Sequence, residues 1–149
     1  FTSFRTELDQ SQAQRERIVK TSRDITALSK QMIFALHRVA SGKKWEAVKG
    51  EVEAKLTELR KLLAKLQSEV KGQDFWRYER SISPGLQEYL EGYTFYHYLE
   101  HRTLPSLSEY SVTSPAPAEP YVVVTPEDYL GGVADLTGEL MRLAIASVG

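Results

Sequence analysis

Glu88 and Glu91 stand three residues apart, and Asp135 and Glu139 four apart, so that on helices each pair projects from a single face. Two carboxylates at that spacing repel unless solvent, a cation or a basic neighbour compensates. Pro84, Phe95 and Tyr98, a turn or two from the first pair, leave little solvation to do so. If the two faces meet, three or four carboxylates converge, which is the donor set that a hard divalent cation such as magnesium prefers. A centre of that kind hydrolyses phosphodiesters: the ion acidifies a bound water and neutralises a phosphate oxygen, and one acid can orient the water. Gly131, Gly132 and Gly138 accompany the second pair, where they weaken a helix but let another backbone approach closely.

The bland alternative is that Glu88 and Glu91 are solvated surface acids and that Glu139 pairs with Arg142 three residues on, an arrangement worth little in stability. Spacing alone leaves both readings open. Other chemistries are poorer fits. His97 and His101 have the four-residue spacing of a zinc pair, yet Tyr98 stands where an HExxH motif has its glutamate. A di-iron bundle needs Glu-x-x-His pairs, whereas Glu88 leads to Glu91 and Glu139 to Arg142. No phosphate-binding glycine loop is present, and the chain has no cysteine, which excludes thiol catalysis and disulfides and is consistent with a reducing, intracellular setting.

Charge is unevenly distributed along the 149 residues, although the net value is only −1. Residues 1–50 hold ten Lys or Arg against five acids, and the remainder is predominantly acidic. Such asymmetry can pair a surface facing a polyanion with an acidic centre, or can be ordinary helix patterning. Of the first-helix cations Arg15, Arg17, Lys20, Arg23 and Lys30, helical spacing favours Lys20, Arg23 and Lys30 as a phosphate-facing set. The aromatic residues Phe75, Trp76, Tyr78, Tyr93, Phe95, Tyr96 and Tyr98 are assigned to the core, since most aromatics of a packed bundle are there.

Positioning these residues requires long helices. Ile18, Ser22, Ile25, Ser29, Met32, Leu36 and Val39 recur at steps of three and four, predicting a first helix over about 2–40, ended by Ser41 and Gly42. A second stripe from Trp45 to Val70 predicts a helix over 44–71. Asp74 is the expected N-cap of a third, over 74–102, with a kink or restart near Ser83 imposed by Pro84. Four prolines mark 103–125 as a loop, with Tyr121–Val124 as a short extended piece. Thr125-Pro126-Glu127-Asp128 then reads as the start of a helix over 126–148: a capping threonine, a proline where its missing N–H matters least, and two acids at the positive end of the dipole. The fold class predicted is all-α, a single domain built as an antiparallel bundle of long helices with one extended connection. No apolar run is long enough to span a membrane.

Three strings, SRDITALSKQMIF, ISPGLQEYLEGYTFYHYLEHRTL and VTPEDYLGGVADLTGELMRLAIASVG, resemble the translin family in order and distance, and within it the catalytic-type subunit. The resemblance implies a helical bundle that joins translin-like subunits in a closed hetero-oligomer around RNA. It implies a magnesium-dependent endoribonuclease, with manganese as a substitute ion, that cuts single-stranded RNA in small-RNA maturation and transfer-RNA processing, in cytoplasm and nucleus. Matching its acids onto GLQEYLE and GVADLTGE makes Glu88, Glu91 and Asp135 the metal ligands and Glu139 a further catalytic acid. It further implies that the bundle is truncated at its C-terminus and that the 104–121 stretch is short. The different-class alternative is a non-catalytic helical subunit that supports assembly and RNA binding.

Overall fold

Ile18, Ile25, Met32 and Leu36 are fully removed from solvent, and the helix that their spacing predicts, α1, runs Thr2–His37. It stops three residues sooner than expected. From Arg38 the backbone tightens into bonds to the third residue back, and Gly42, at φ +82°, turns the chain so that the Lys43 N–H reaches the Arg38 carbonyl at 3.2 Å. α2 (Trp45–Glu69) buries Val48, Val52, Leu56, Leu59, Leu63 and Leu66 along one side and leaves most of its charged side chains exposed. α3 (Asp74–His101), a four-residue α4 (Leu107–Tyr110) and α5 (Pro126–Val148) complete the computed structural model, which describes residues 1–70, 74–110 and 124–148.

The short α4 is a correction to the loop expected over 103–125: its Tyr110 is 1% exposed, and its hydroxyl lies 2.6 Å from that of Thr94 on α3. The extended piece expected at Tyr121–Val124 lies largely outside the described residues, as does the Asp74 side chain expected to cap α3. Among the described residues every regular element is helical, and none is long and apolar enough to cross a membrane.

Of the kink or restart expected near Ser83, the restart does not occur: α3 is continuous through Pro84. The proline removes one helical donor, but neighbouring helices hold the segment on both sides. On one side a Cβ placed at Gly85 would come within 2.8 Å of the Ser22 backbone oxygen, so α1 and α3 cross at their small residues. On the other, Asp128 of α5 accepts hydrogen bonds from the Ser83 hydroxyl and, at 3.2 Å, from the Gln87 amide.

Consecutive long helices alternate in direction. Gln14 near the start of α1 reaches the Glu69 carbonyl at the end of α2, and Trp45 at the start of α2 donates to Glu100 near the end of α3. α5 breaks the alternation, because its first turn lies beside Ser83 and Gln87 and Gly132 lies beside Leu90, so it runs in the same direction as α3. The long connection makes this possible: it carries the chain back over roughly 20 Å of α3, about fourteen residues at 1.5 Å each.

Candidate functional site

α5 is fixed at its first turn as the sequence predicts. The Thr125 hydroxyl accepts the Asp128 N–H at 3.1 Å and donates to the Asp128 carboxylate at 2.9 Å, and both residues are buried. Farther on, Gly132 presses against α3 so closely that a Cβ there would stand 2.7 Å from that of Leu90. This contact sets Asp135 and Glu139, one and two turns later, opposite Glu88 and Glu91.

The result is a cleft of about 760 Å³ between α1, α3 and α5, lined by all four acids together with Lys30, Phe34, His37, Gly138 and Arg142. Asp135 is exposed, Glu88 and Glu91 are half-buried, and Glu139 is 3% exposed. Nothing would meet a Cβ at Gly138, so the glycine widens the cleft and makes no close helix contact. Gly131 makes only ordinary contact with Gln87, leaving Gly132 as the close-approach residue of the three.

Three of the four acids are answered from within the chain, each in a different way. Lys30 Nζ lies 3.4 Å from Glu88 Oε1. Glu139 is gripped at both oxygens, by His37 Nε2 at Oε2 and by Arg142 Nη1 at Oε1. The expected pairing of Glu139 with Arg142 therefore does form, and it coexists with the convergence of the acids. Glu91 has no cation beside it among the described residues. Burial first, then a hydrogen bond to Glu139, then the charges of Glu88, Glu139 and Asp135 push its carboxyl from the ordinary 4.5 up to about 7. Below about pH 7 a proton takes the place of a counter-charge on Glu91.

Among the described residues no three acidic or histidine side chains stand in a ready metal-ligating arrangement. The donor chemistry nevertheless fits a hard cation: carboxylates from two helices share one cleft, where burial and then their mutual repulsion raise the pKa of Glu91. His97 and His101 form no comparable centre. Their rings are 4.5 Å apart, His97 Nε2 is 3.3 Å from the Thr103 hydroxyl, and burial, with the charge of His101, lowers the His97 pKa below its ordinary value.

The three expected phosphate-facing cations divide. Lys30 belongs to the acidic cleft. Lys20 and Arg23 line a second cleft of about 990 Å³, together with Arg15 of α1 and with Arg77 and Arg80 of α3. The α3 arginines were missed in the sequence because nothing local says that the start of α3 lies along α1. His37 was missed too: only its register with Lys30 and Phe34 hinted that it shares their face. Of the aromatic set, Phe75, Tyr78 and Phe95 are core as expected, Tyr93 and Tyr96 pack partly against it, and Trp76 is 64% exposed.

Comparison with known proteins accords with this architecture. Over 169 aligned positions that take in the whole chain, it is 41% identical to translin-associated protein X of Mus musculus and equally to that of Rattus norvegicus, spanning 58% of each. The translin-associated protein X homolog of Schizosaccharomyces pombe is 34% identical over 99% of this chain and 61% of its own length. The chain thus spans about three fifths of these relatives. A crystal structure described as apo-NeC3PO has the same fold, with a TM-score of 0.77 at 22% identity over 99% of this chain and 67% of that one. With residues 13–149 matching the family model and the acids of α3 and α5 gathered in one cleft, the chain belongs to the translin family.

Proposed function

We propose that this chain is the cutting subunit of a translin-containing hetero-oligomer, a magnesium-dependent endoribonuclease acting on single-stranded RNA. Its roles would be small-RNA maturation and transfer-RNA processing, in cytoplasm and nucleus. The observation that carries this reading is the convergence of Glu88, Glu91, Asp135 and Glu139 on one cleft, where burial and then the neighbouring acids raise the Glu91 pKa to about 7. Such an excess of negative charge is what a divalent ion neutralises. The translin partner is suggested by the relatives, which are named as translin-associated.

Glu88, Glu91 and Asp135 would hold the ion, with manganese able to replace magnesium. Bound there, it would lower the pKa of a coordinated water and neutralise a phosphate oxygen. Glu139, occupied at both oxygens by His37 and Arg142, is better suited to orient Glu91 through the hydrogen bond between them than to bind the ion itself. Lys30, once it leaves Glu88, faces the same cleft and can neutralise the phosphate.

A second reading, a non-catalytic subunit for assembly, is favoured by the internal pairing of the acids and by Phe34, Met141 and Ile145, all more than half exposed. Activity separates the two. In the full-length protein assembled with a translin-type subunit, Glu91→Gln should reduce magnesium-dependent cleavage of a single-stranded RNA about 100-fold or more, since removing a ligand forfeits several kcal/mol of charge stabilisation. Undiminished cleavage would leave the assembly role as the function.

A further inference from the structure

Phe34 has no part in the charge balance of the acidic cleft, yet it stands in its wall. Lys30, Phe34 and His37 follow one another at steps of four and three, so all three share the face of α1 that lines the cleft. Phe34 is 71% exposed, whereas its neighbour Ile33 is 8% exposed and belongs to the core. Among the described residues no other ring lies against it, in contrast to the exposed Trp76, which is met edge-on by Phe75. A single exposed apolar side chain is ordinary on a protein surface, and only its surroundings give it meaning.

Those surroundings are ionised. The ring shares the cleft with Lys30, Glu88, Glu91, Asp135 and Arg142, whereas Met141 and Ile145 are not among the side chains that line it. The core of a protein interface is depleted of charge, so a ring set among acids and cations is a poor centre for a protein contact. It suits a nucleotide, whose base stacks on an aromatic face while its phosphate meets a cation close by. Lys30 precedes Phe34 by one turn, about 6 Å along the helix, comparable with the reach from phosphate to base within one nucleotide. Gly138, with no atom within 4 Å of where a Cβ would stand, keeps the α5 wall of the same cleft clear.

We propose that Phe34 is the stacking platform for the base beside the scissile phosphate, which makes the acidic cleft selective for an unpaired nucleotide. For the identity of the strand this rests on the endoribonuclease reading, to which it adds a physical reason for single-strandedness. A base held in a duplex is stacked on its neighbours and has no free face to offer. A splayed base lays one face on the ring while Lys30 meets the phosphate of the same nucleotide. Every base has a π-face, so the selection is for unpaired over paired and only weakly for one base over another.

Phe34→Leu removes the ring and keeps an apolar side chain, and Phe34→Trp restores a ring; at so exposed a position neither should cost the fold. The probe is a uridine tetranucleotide carrying one 2-aminopurine, whose fluorescence falls when the base stacks. It is titrated in EDTA into the full-length protein assembled with a translin-type subunit. Phe34→Leu should weaken binding about tenfold, as the loss of one stacked base does, and should relieve the quenching, whereas Phe34→Trp should retain both. An end-labelled strand with an abasic residue in place of the 2-aminopurine should bind the parent and Phe34→Leu within about twofold of each other, and so should duplex RNA. Equal binding of the 2-aminopurine strand by the parent and Phe34→Leu would overturn the proposal, as would an equal loss for the abasic strand or for the duplex. Failure of Phe34→Leu to assemble, read by size-exclusion chromatography, would also overturn it, by making Phe34 a protein contact. No cleavage is read, so these outcomes are separate from the Glu91→Gln test: either idea can fail while the other stands.

Discussion

The two clefts along α1 and α3 manage charge in opposite ways. In the acidic cleft the chain supplies its own counter-charges: Lys30 for Glu88, His37 and Arg142 for Glu139, and a proton for Glu91. In the basic cleft five cations have no carboxylate partner among the described residues, although Glu16 and Asp24 are nearby. The difference teaches that acids crowded into one cleft are compensated from within the chain, whereas cations spread along two helices can be left to solvent. Exchangeable internal partners also keep a crowded acid cluster from destabilising the helices that carry it.

The contrast is open to attack in several ways. The largest effect expected is that of Glu91→Gln on cleavage, described above. Next is His37. Replacing it with Ala frees one oxygen of Glu139 and removes a tie between α1 and α5, and because Glu139 in turn orients the proposed ligand Glu91, manganese binding should weaken by up to about tenfold. His37→Gln, which can still donate a hydrogen bond, should recover most of the affinity as read by manganese titration. Equal losses in both variants would mean that the ring matters only for packing against Phe95.

Packing provides the third test. Gly132→Ala forces a Cβ against Leu90 and the Glu91 backbone and should destabilise the protein by roughly 1–3 kcal/mol in chemical denaturation. Gly138→Ala, two turns on in open space, should be neutral or stabilising by up to about 1 kcal/mol. Similar behaviour of the two would show that α5 does not rest on α3 through Gly132.

The smallest effect is on pH dependence. Glu91 keeps its proton in the folded protein up to about 7 but loses it near 4.5 when unfolded, so the folded state binds more protons in that window. Its contribution to stability is therefore complete below about 4.5 and declines as pH rises to about 7. Thermal melts in EDTA should show this decline, and Glu91→Gln should abolish it.

Much of this was legible in the sequence, for identifiable reasons. The stripes of α1 and α2 follow from a period that burial imposes, and the Thr125 cap follows from a local hydrogen bond. The acids were visible as pairs because three- and four-residue spacing fixes a face. What answers them was mostly not visible: Lys30 to Glu88 and His37 to Glu139 join distant parts of the chain, and only the near pair of Glu139 with Arg142 could be read locally. The continuity of α3 through Pro84 was not legible, because helix propensity is local, whereas the contacts of Ser83 and Gly85 with neighbouring helices are tertiary. The turn of α4 was hidden among prolines, its reason being the burial of Tyr110 against Thr94.

The capped first turn of α5 has a mechanical corollary. Asp128 ties that end to α3 and Gly132 seats the next turn on Leu90, so the placement of Asp135 and Glu139 is decided by two contacts made before the chain reaches them. A substitution at either contact would therefore misalign the acids without touching one of them.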